Sequence, residues 1–137
     1  KSVSETEDLY IFWKPGEYTV NRERLTQGEW KEWGYRQIWE IPSVRANKEH
    51  PAMFPKELAS RVIRLYTDEG DIILDPFLGS GTTAIAAIEA KRNFIGIEMI
   101  GKYAAIAKKN IKNAQHSQTF KSELLFPKEE KTELSVI

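Results

Sequence analysis

The stretch "DIILDPFLGSGTTAIAAIEAKRNFIGIE", residues 71–98, contains the pattern that decides the fold. Its apolar run Ile72–Asp75 predicts a buried strand, and the glycine turn after it leads into a helix predicted from about Thr82 to Lys91. A second run, Asn93–Glu98, predicts another buried strand, and a further helix is predicted over Lys102–Ala114. Strands that alternate with helices predict an α/β fold with a parallel sheet.

The glycine turn raises the question of which ligand it would bind. Gly79, Gly81 and Ala84 match the G-x-G-x-x-G/A pattern of dinucleotide-binding turns. Glu98 lies near the spacing at which such proteins place the acid that binds the ribose. A nucleoside triphosphate loop needs Lys after its last glycine, whereas Thr82 follows Gly81. The simplest alternative is a turn that only joins a strand to a helix.

Two carboxylates favour a cationic ligand over a phosphate. Asp75 ends the first predicted strand and Glu98 ends the second, so both surround one crevice and repel a pyrophosphate. S-adenosylmethionine fits better, because it has no phosphate and carries a sulfonium and an ammonium group. In this interpretation Glu98 accepts hydrogen bonds from the ribose hydroxyls. Thr82, Thr83 and nearby backbone N–H groups would bind the methionine carboxylate.

Composition limits the broad class of the protein. The 137 residues, 41% of them hydrophobic, suffice for one domain, 1–137. Lys and Arg number 20 and so do Asp and Glu, so nucleic-acid contacts must come from local patches. There is no cysteine, and no apolar stretch approaches the roughly 20 residues that cross a bilayer. We therefore expect a soluble, cytoplasmic protein without membrane contact.

The regions on either side of the α/β core have different compositions. Residues 1–20 predict a sheet-edge hairpin whose first strand, Leu9–Trp13, is buried. Residues 21–48 are rich in Trp and Arg and predict a short helix with loops. The core itself spans 49–120 and includes a helix predicted over Pro55–Thr67. The tail, 121–137, contains one predicted short strand, "ELLF", before a charged run.

The segment "DPFLGSGTTAIAAIEAKRNFIGIE" resembles the cofactor-binding motifs of DNA methyltransferases that modify exocyclic amino groups, adenine N6 or cytosine N4. The segment "HPAMFP", His50–Pro55, resembles the methionine-binding segment that precedes the glycine turn in permuted members of that family. The similarity covers roughly residues 38–112. It implies a Rossmann-like class I methyltransferase fold, here partial, with S-adenosyl-L-methionine as cofactor and double-stranded DNA as partner.

The resemblance also implies which positions contact the cofactor. The glycine-turn residues would contact its methionine part, Glu98 the ribose, and Met99 would lie near the adenine, while the "HPAMFP" residues would line the opposite wall. The matching positions are His50, Pro51, Ala52, Phe54, Asp75, Phe77, Gly79, Ser80, Gly81, Thr82, Thr83, Glu98 and Met99.

The catalytic motif of that family is missing from this sequence. The motif is Asp, Asn or Ser, then Pro-Pro, then an aromatic residue that stacks on a flipped base. None of the six prolines adjoins another, and the sequence begins at Lys1 without an initiator Met. We therefore expect the C-terminal, cofactor-binding portion of a methyltransferase, inactive alone and less stable than its length suggests. Its partner would be the catalytic half; a homodimer is a further expectation.

The aromatic segment lies where the family carries residues that face DNA. Trp33 is predicted to stack on bases, and Arg36 and Arg45 to contact phosphates. The alternative is that the tryptophans are core or interface anchors, because Trp is mostly buried. His50 and His116 are far apart and the carboxylates are scattered, so no metal site is predicted.

Two other functions remain open at this point. The chain could be a cofactor- or DNA-binding module without chemistry, or an NAD-type dinucleotide-binding domain. An upstream reading frame or a partner chain with the Pro-Pro motif distinguishes the module from the enzyme portion, and a cofactor titration separates both from the NAD-type domain.

Overall fold

The core is a two-stranded parallel sheet with helices on one side. The computed structural model describes residues 6–16, 21–44 and 54–125, with side chains up to residue 118. The elements of the core, in chain order, are α2 Lys56–Tyr66, β1 Ile72–Asp75, α3 Thr82–Glu89, β2 Asn93–Gly96 and α4 Gly101–Leu125; a short helix α1, Gln27–Glu29, precedes them. In the parallel register, Ile72 lies opposite Asn93 and Asp75 opposite Gly96. The predicted strand and helix order is confirmed, and the architecture is part of a Rossmann-like fold.

The helices pack on one face of this sheet through small side chains. Ala86 and Ala87 of α3 are fully buried against Ala59 and Ile63 of α2, and Ile73 and Phe94 of the strands pack on the same cluster. Alanine lets two helices approach closely, so this contact depends on backbone proximity as well as on side-chain area. On the other side of α3, Ala84 packs against Ala107 and Ile111 of α4.

The opposite face of the sheet is apolar, and no other part of the described chain covers it. Successive strand residues point to opposite faces, so Ile72, Leu74 and Ile95 lie on the side away from the helices. They are 65%, 62% and 50% exposed, and Ile97, just beyond β2, is 55% exposed. Apolar residues on both faces are typical of strands that are buried on both sides.

The first strand of the hairpin predicted for residues 1–20 is absent from the described residues 6–16. Leu9–Trp13 forms no strand, and its side chains are exposed, with Phe12 at 90%. The prediction of a buried strand was wrong, because a strand needs a neighbour to pair with its N–H and C=O groups. Within the described residues, β1 and β2 pair only with each other. Residues 17–20, the second half of the hairpin, lie outside the described residues.

The strand predicted at "ELLF" is also wrong. Glu123–Leu125 belong to the last turn of α4, which is longer than the predicted helix over Lys102–Ala114. No turn signal precedes the stretch, and extending an existing helix by one residue is easier than starting a new element. Phe126 and the rest of the tail lie outside the described residues.

The Trp-rich segment forms a compact unit that docks on α2. A single 3-10 turn, Arg22–Arg24, is followed by α1 and by a π-helical turn, Trp30–Gly34, in agreement with the predicted short helix and loops. Thr26 and Glu29 form a capping box that fixes the start of α1. Within the unit, Leu25, Trp30 and Trp33 are buried together.

Ion pairs join this unit to α2 and to the turn that follows it. Arg64 donates to both carboxylate oxygens of Glu29, and its hydrogen bond holds the pKa of Glu29 at about 2, below the usual 4.5. Arg24 donates from two nitrogens to Asp68, each at 2.8 Å, and this lowers the pKa of Asp68 to about 2. Bidentate pairs of this kind fix orientation as well as distance.

Candidate functional site

The carboxyl ends of both strands meet at one edge of the sheet. Asp75 is the last residue of β1, and Glu98 follows the end of β2 by two residues. A further hydrogen bond, from Ile97 N–H to the Asp75 carbonyl at 2.9 Å, extends the pairing past β2. The two carboxylates therefore lie at the same edge, where parallel α/β sheets bind their ligands.

The glycine turn between β1 and α3 is held by backbone hydrogen bonds. Leu78 N–H donates to the Ile97 carbonyl, and Gly81 N–H donates to the Leu78 carbonyl, both at 2.9 Å. Gly79 and Gly81 have positive φ angles of 56° and 91°, which residues with a Cβ atom rarely adopt. The turn is thus a fixed cradle whose shape requires glycine at these two positions.

Glu98 connects the turn to the end of β2. One carboxylate oxygen accepts from Gly79 N–H at 2.9 Å, and the other accepts from Ile100 N–H at 2.7 Å. Each carboxylate oxygen can accept two hydrogen bonds, so these two contacts leave acceptor capacity for a ligand hydroxyl. The negative charge of Glu98 is therefore held in place beside the turn.

Several predicted residues surround this edge. Asp75 accepts from Phe77 N–H at 2.9 Å, which orients its carboxylate. The Phe77 side chain is 87% exposed and that of Met99 is 94% exposed, so both offer apolar surface to a ligand. Thr82 and Thr83 begin α3, where the first N–H groups of a helix lack partners inside the helix and favour an anionic group.

Asn110 contacts the turn, although it was not among the residues predicted from the sequence. Its side-chain amide, on α4, donates to the Ser80 carbonyl at 3.0 Å. Ser80 itself is buried. A signal was present, since Asn110 adjoins Ile111 and follows Ala107 by three residues on the inward side of the helix, where a polar side chain needs a partner.

Not every predicted residue is brought to this edge. Phe54 is half-exposed just before α2, and Lys56 in the first turn of α2 pairs with Glu89 at the far end of α3 from the glycine turn. His50, Pro51 and Ala52 lie outside the described residues, and so does Arg45.

Trp33 lies in the interior of the Trp-rich unit. It is 6% exposed, its ring meets Trp39 edge-on at 5.9 Å between centroids, and the Arg61 guanidinium lies 5.4 Å from its centroid. This is the geometry of the core-anchor alternative, since little of the ring is left for a base. Arg36, by contrast, is exposed.

A cavity of about 540 Å³ lies on the helix side, away from the strand-end edge. Its lining includes Arg24, Asp68, Glu69 and Lys91, which pair with one another in two ion pairs. The whole lining carries four acidic and four basic side chains, so no net charge selects a charged ligand, and we place the site at the strand ends. Within residues 6–16, 21–44 and 54–125, no three His, Cys, Asp or Glu side chains are grouped to hold a metal, and no helix has the length and apolarity to cross a membrane.

A family of DNA methylases, which takes its name from N6 and N4 methylation, matches residues 2–109. The chain belongs to this N6/N4 DNA methyltransferase family. It is 55% identical over 111 residues to the type II methyltransferase M.BglI of Bacillus subtilis. This match covers 81% of this chain and 32% of M.BglI. It is 39% identical over 83 residues to the DNA adenine methyltransferase YhdJ of Escherichia coli. That match covers 58% of this chain and 28% of YhdJ.

A solved structure extends the similarity to three dimensions. The protein, from Thermus thermophilus, is described as a putative DNA modification methylase and was solved in complex with S-adenosyl-L-methionine. The match has a TM-score of 0.61 and 38% identity, and covers 74% of this chain and 41% of that one. The predicted methyltransferase fold is therefore confirmed for the part present. The permuted order of the two halves stays a prediction.

Proposed function

We propose that this chain is the S-adenosylmethionine-binding part of a DNA methyltransferase that modifies an exocyclic amino group, adenine N6 or cytosine N4. One observation carries the proposal: a glycine turn tied to Glu98 lies beside Asp75 at the carboxyl edge of the sheet. Membership in the family and the cofactor bound to the Thermus structure support the same assignment.

The charges and shape at this edge fit the cofactor. Two carboxylates at one edge disfavour a pyrophosphate and favour a ligand that carries an ammonium and a sulfonium group. A Cβ atom on Gly81 would lie 3.4 Å from Ala107 of α4, at the lower limit of ordinary contact, so glycine lets the turn pack closely on that helix. The exposed Phe77 and Met99 would gain cover from the ligand.

Each side chain has a definite task in this proposal. S-adenosylmethionine supplies the electrophilic methyl group. Glu98 accepts the ribose hydroxyls with the capacity that Gly79 and Ile100 leave free. Thr82 and Thr83, with the first N–H groups of α3, bind the methionine carboxylate. Asp75 lies on the cationic side of the ligand and Met99 beside its adenine. The roles of Ser80, His50, Pro51, Ala52 and Phe54 rest on the family resemblance.

We further propose that a second protein portion completes the enzyme. The Pro-Pro catalytic motif does not occur in this sequence, and the chain spans 32% of the length of M.BglI. The uncovered face with Ile72, Leu74 and Ile95 is the surface on which that portion would pack. A homodimer through the same face is the competing association.

The substrate in this proposal is double-stranded DNA. Arg36, which is exposed, and Arg45 would contact phosphates, which position a duplex without reading its sequence. Trp33 would act as the buried anchor of the segment that carries Arg36. The type II relatives support a role in restriction-modification, and the absence of cysteine fits a cytoplasmic location.

Calorimetry tests the cofactor assignment. We expect S-adenosylmethionine and S-adenosylhomocysteine to bind the chain and NAD to give no heat. Replacing Glu98 with Ala should weaken binding by about 1.5 to 3 kcal/mol, the range for hydrogen bonds to a charged group. Glu98→Gln keeps one acceptor oxygen, so its affinity should lie between that of the unaltered chain and that of Glu98→Ala.

Glu69→Ala is the matched control. Glu69 is an exposed carboxylate that pairs with Lys91. It precedes β1, so it lies at the edge of the sheet opposite to the glycine turn. Its loss should leave the cofactor affinity unchanged. Binding of NAD in place of S-adenosylmethionine would overturn the assignment, and an unchanged affinity in Glu98→Ala would remove that residue from the site.

A further inference from the structure

α4 supports the cofactor turn from outside the site. The helix begins after Glu98 and runs back along α3, and Ala107 and Ile111 on its inner side pack against Ala84. Ala107 is also the residue that Gly81 approaches most closely, with 3.4 Å between an ideal Cβ on Gly81 and the Ala107 Cα and Cβ atoms. The helix surface that faces the turn is therefore in direct contact with it.

Asn110 provides the polar contact of this surface. Its Nδ2 atom donates to the Ser80 carbonyl at 3.0 Å, and Ser80 is 8% exposed. A buried carbonyl without a hydrogen bond is unfavourable, so the Asn110 amide satisfies a group that water reaches poorly.

The same peptide unit is held at its other end. The Ser80 carbonyl and the Gly81 N–H belong to one planar peptide, and Gly81 N–H donates to the Leu78 carbonyl at 2.9 Å. With the oxygen held by Asn110 and the N–H held by Leu78, this peptide plane cannot rotate freely. Gly81 is the residue just before α3, so this peptide lies one residue from the N–H groups that begin the helix.

We propose that Asn110 is a positioning residue for the cofactor site. It does not touch the cofactor; it holds the Ser80–Gly81 peptide so that the start of α3 is aligned before the ligand arrives. A site that is aligned in advance loses less conformational entropy on binding, and this advantage appears as affinity. The inference rests on the proposed binding of S-adenosylmethionine at this turn.

Three substitutions separate the hydrogen bond from the volume of the side chain. Asn110→Asp keeps the shape and loses the donor, Asn110→Ala loses both, and Asn110→Gln keeps an amide donor on a longer side chain. Asn113→Ala is the matched control, because Asn113 is an exposed residue of the same helix whose described bond uses its backbone carbonyl. The probe is S-adenosylhomocysteine, titrated by calorimetry into the full chain.

We expect Asn110→Asp and Asn110→Ala to weaken binding by about threefold to tenfold, the worth of one ordinary hydrogen bond. Asn110→Gln should recover part of the loss, and Asn113→Ala should bind as the unaltered chain does. The amide resonances of Gly79 and Gly81 should shift in the first two variants without ligand. A purely structural role would lower the melting temperature and leave the affinity of the folded chain unchanged.

The outcomes are distinguishable from failure of the proposed function. If the unaltered chain does not bind the probe, the proposed function fails and this inference fails with it. If it binds and the Asp and Ala variants bind equally well, only the role of Asn110 is overturned. Should both variants fail to fold, the side-chain amide resonances of Asn110 in the unaltered chain decide: a shift on adding the probe supports the coupling, and no shift overturns it.

Discussion

The two faces of the sheet carry similar side chains but have different surroundings. On one face, Ile73 and Phe94 pack against buried residues of α2 and α3. On the other face, Leu74 is 62% exposed and Ile95 is 50% exposed. The same eight strand residues supply both faces, because alternate residues point to opposite sides. The comparison indicates that the strands are built for burial on two sides, and that the described residues cover only one.

The largest expected effect concerns association through the open face. Leu74→Asp places a charge where the second portion would pack, and burying an unpaired carboxylate costs several kcal/mol. The partner in this test is the part of M.BglI that lies outside its match with this chain. We expect Leu74→Asp to weaken binding to that part by more than about a hundredfold. The stability of the isolated chain should change by less than about 0.5 kcal/mol.

Ser117→Asp is the control for this experiment, because it adds the same charge at an exposed position of α4. Its effect on association should be small. Equal binding by Leu74→Asp and the unaltered chain, measured by titration with fluorescence detection, would show that the open face is not the contact surface.

The covered face predicts the next largest effect. Phe94 packs against two clusters of the core, so Phe94→Ala should lower the free energy of unfolding by about 2 to 4 kcal/mol. Ile95→Ala, one residue away on the open face, should cost less than about 1 kcal/mol. Urea unfolding of both variants measures the difference directly, and equal losses would contradict the assignment of the faces.

A pH titration tests the docking of the Trp-rich unit on α2, outside both faces. The pKa of Glu29 is about 2 in the folded chain, below the usual 4.5, so its ion pair with Arg64 stabilises above pH 4.5. That contribution is lost as the pH falls from about 4.5 to about 2. Asp68, with a pKa of about 2 instead of 3.8, acts in the same direction.

Tryptophan fluorescence measures this loss, because Trp30, Trp33 and Trp39 all belong to the unit or pack on it. Glu29→Gln should lower stability at about pH 7 by about 1 kcal/mol, a modest value because both partners are partly exposed. It should also flatten the change between pH 4.5 and about 2. An acid transition identical to that of the unaltered chain would show that another group is responsible.

The smallest expected effect concerns one phosphate contact. Arg36→Ala should reduce the slope of log affinity for duplex DNA against log salt by about 0.9, the value for one phosphate contact. Gln37→Ala, at a neighbouring exposed position, is the control. The slope is measured by fluorescence anisotropy for the complex of the chain with the second portion; equal slopes would remove Arg36 from the DNA surface.

Local sequence signals predicted the core well. The strands β1 and β2, the glycine turn and the starts of α2 and α3 follow from apolar runs, glycine and a proline before the helix, all of which act over a few residues. The two carboxylates at one edge follow from the parallel order alone. These features need no knowledge of distant contacts.

The remaining features depend on neighbours that local patterns do not specify. Leu9–Trp13 has the composition of a strand but no described strand to pair with. The burial of Trp33 depends on Arg61 and Trp39, and the contact of Asn110 depends on how α4 packs against α3. Such contacts between distant parts of the chain decide whether an aromatic or polar residue is exposed on the surface or packs in the interior.

A methyl-transfer assay tests the central claim most directly. The chain is incubated with tritium-labelled S-adenosylmethionine and mixed-sequence duplex DNA, with and without the part of M.BglI outside its match. We predict label in DNA only when both polypeptides are present, because this sequence has the proposed cofactor turn but no Pro-Pro motif to hold the target amino group. Transfer of label by this chain alone would contradict the account, since the acceptor site would then lie within these residues.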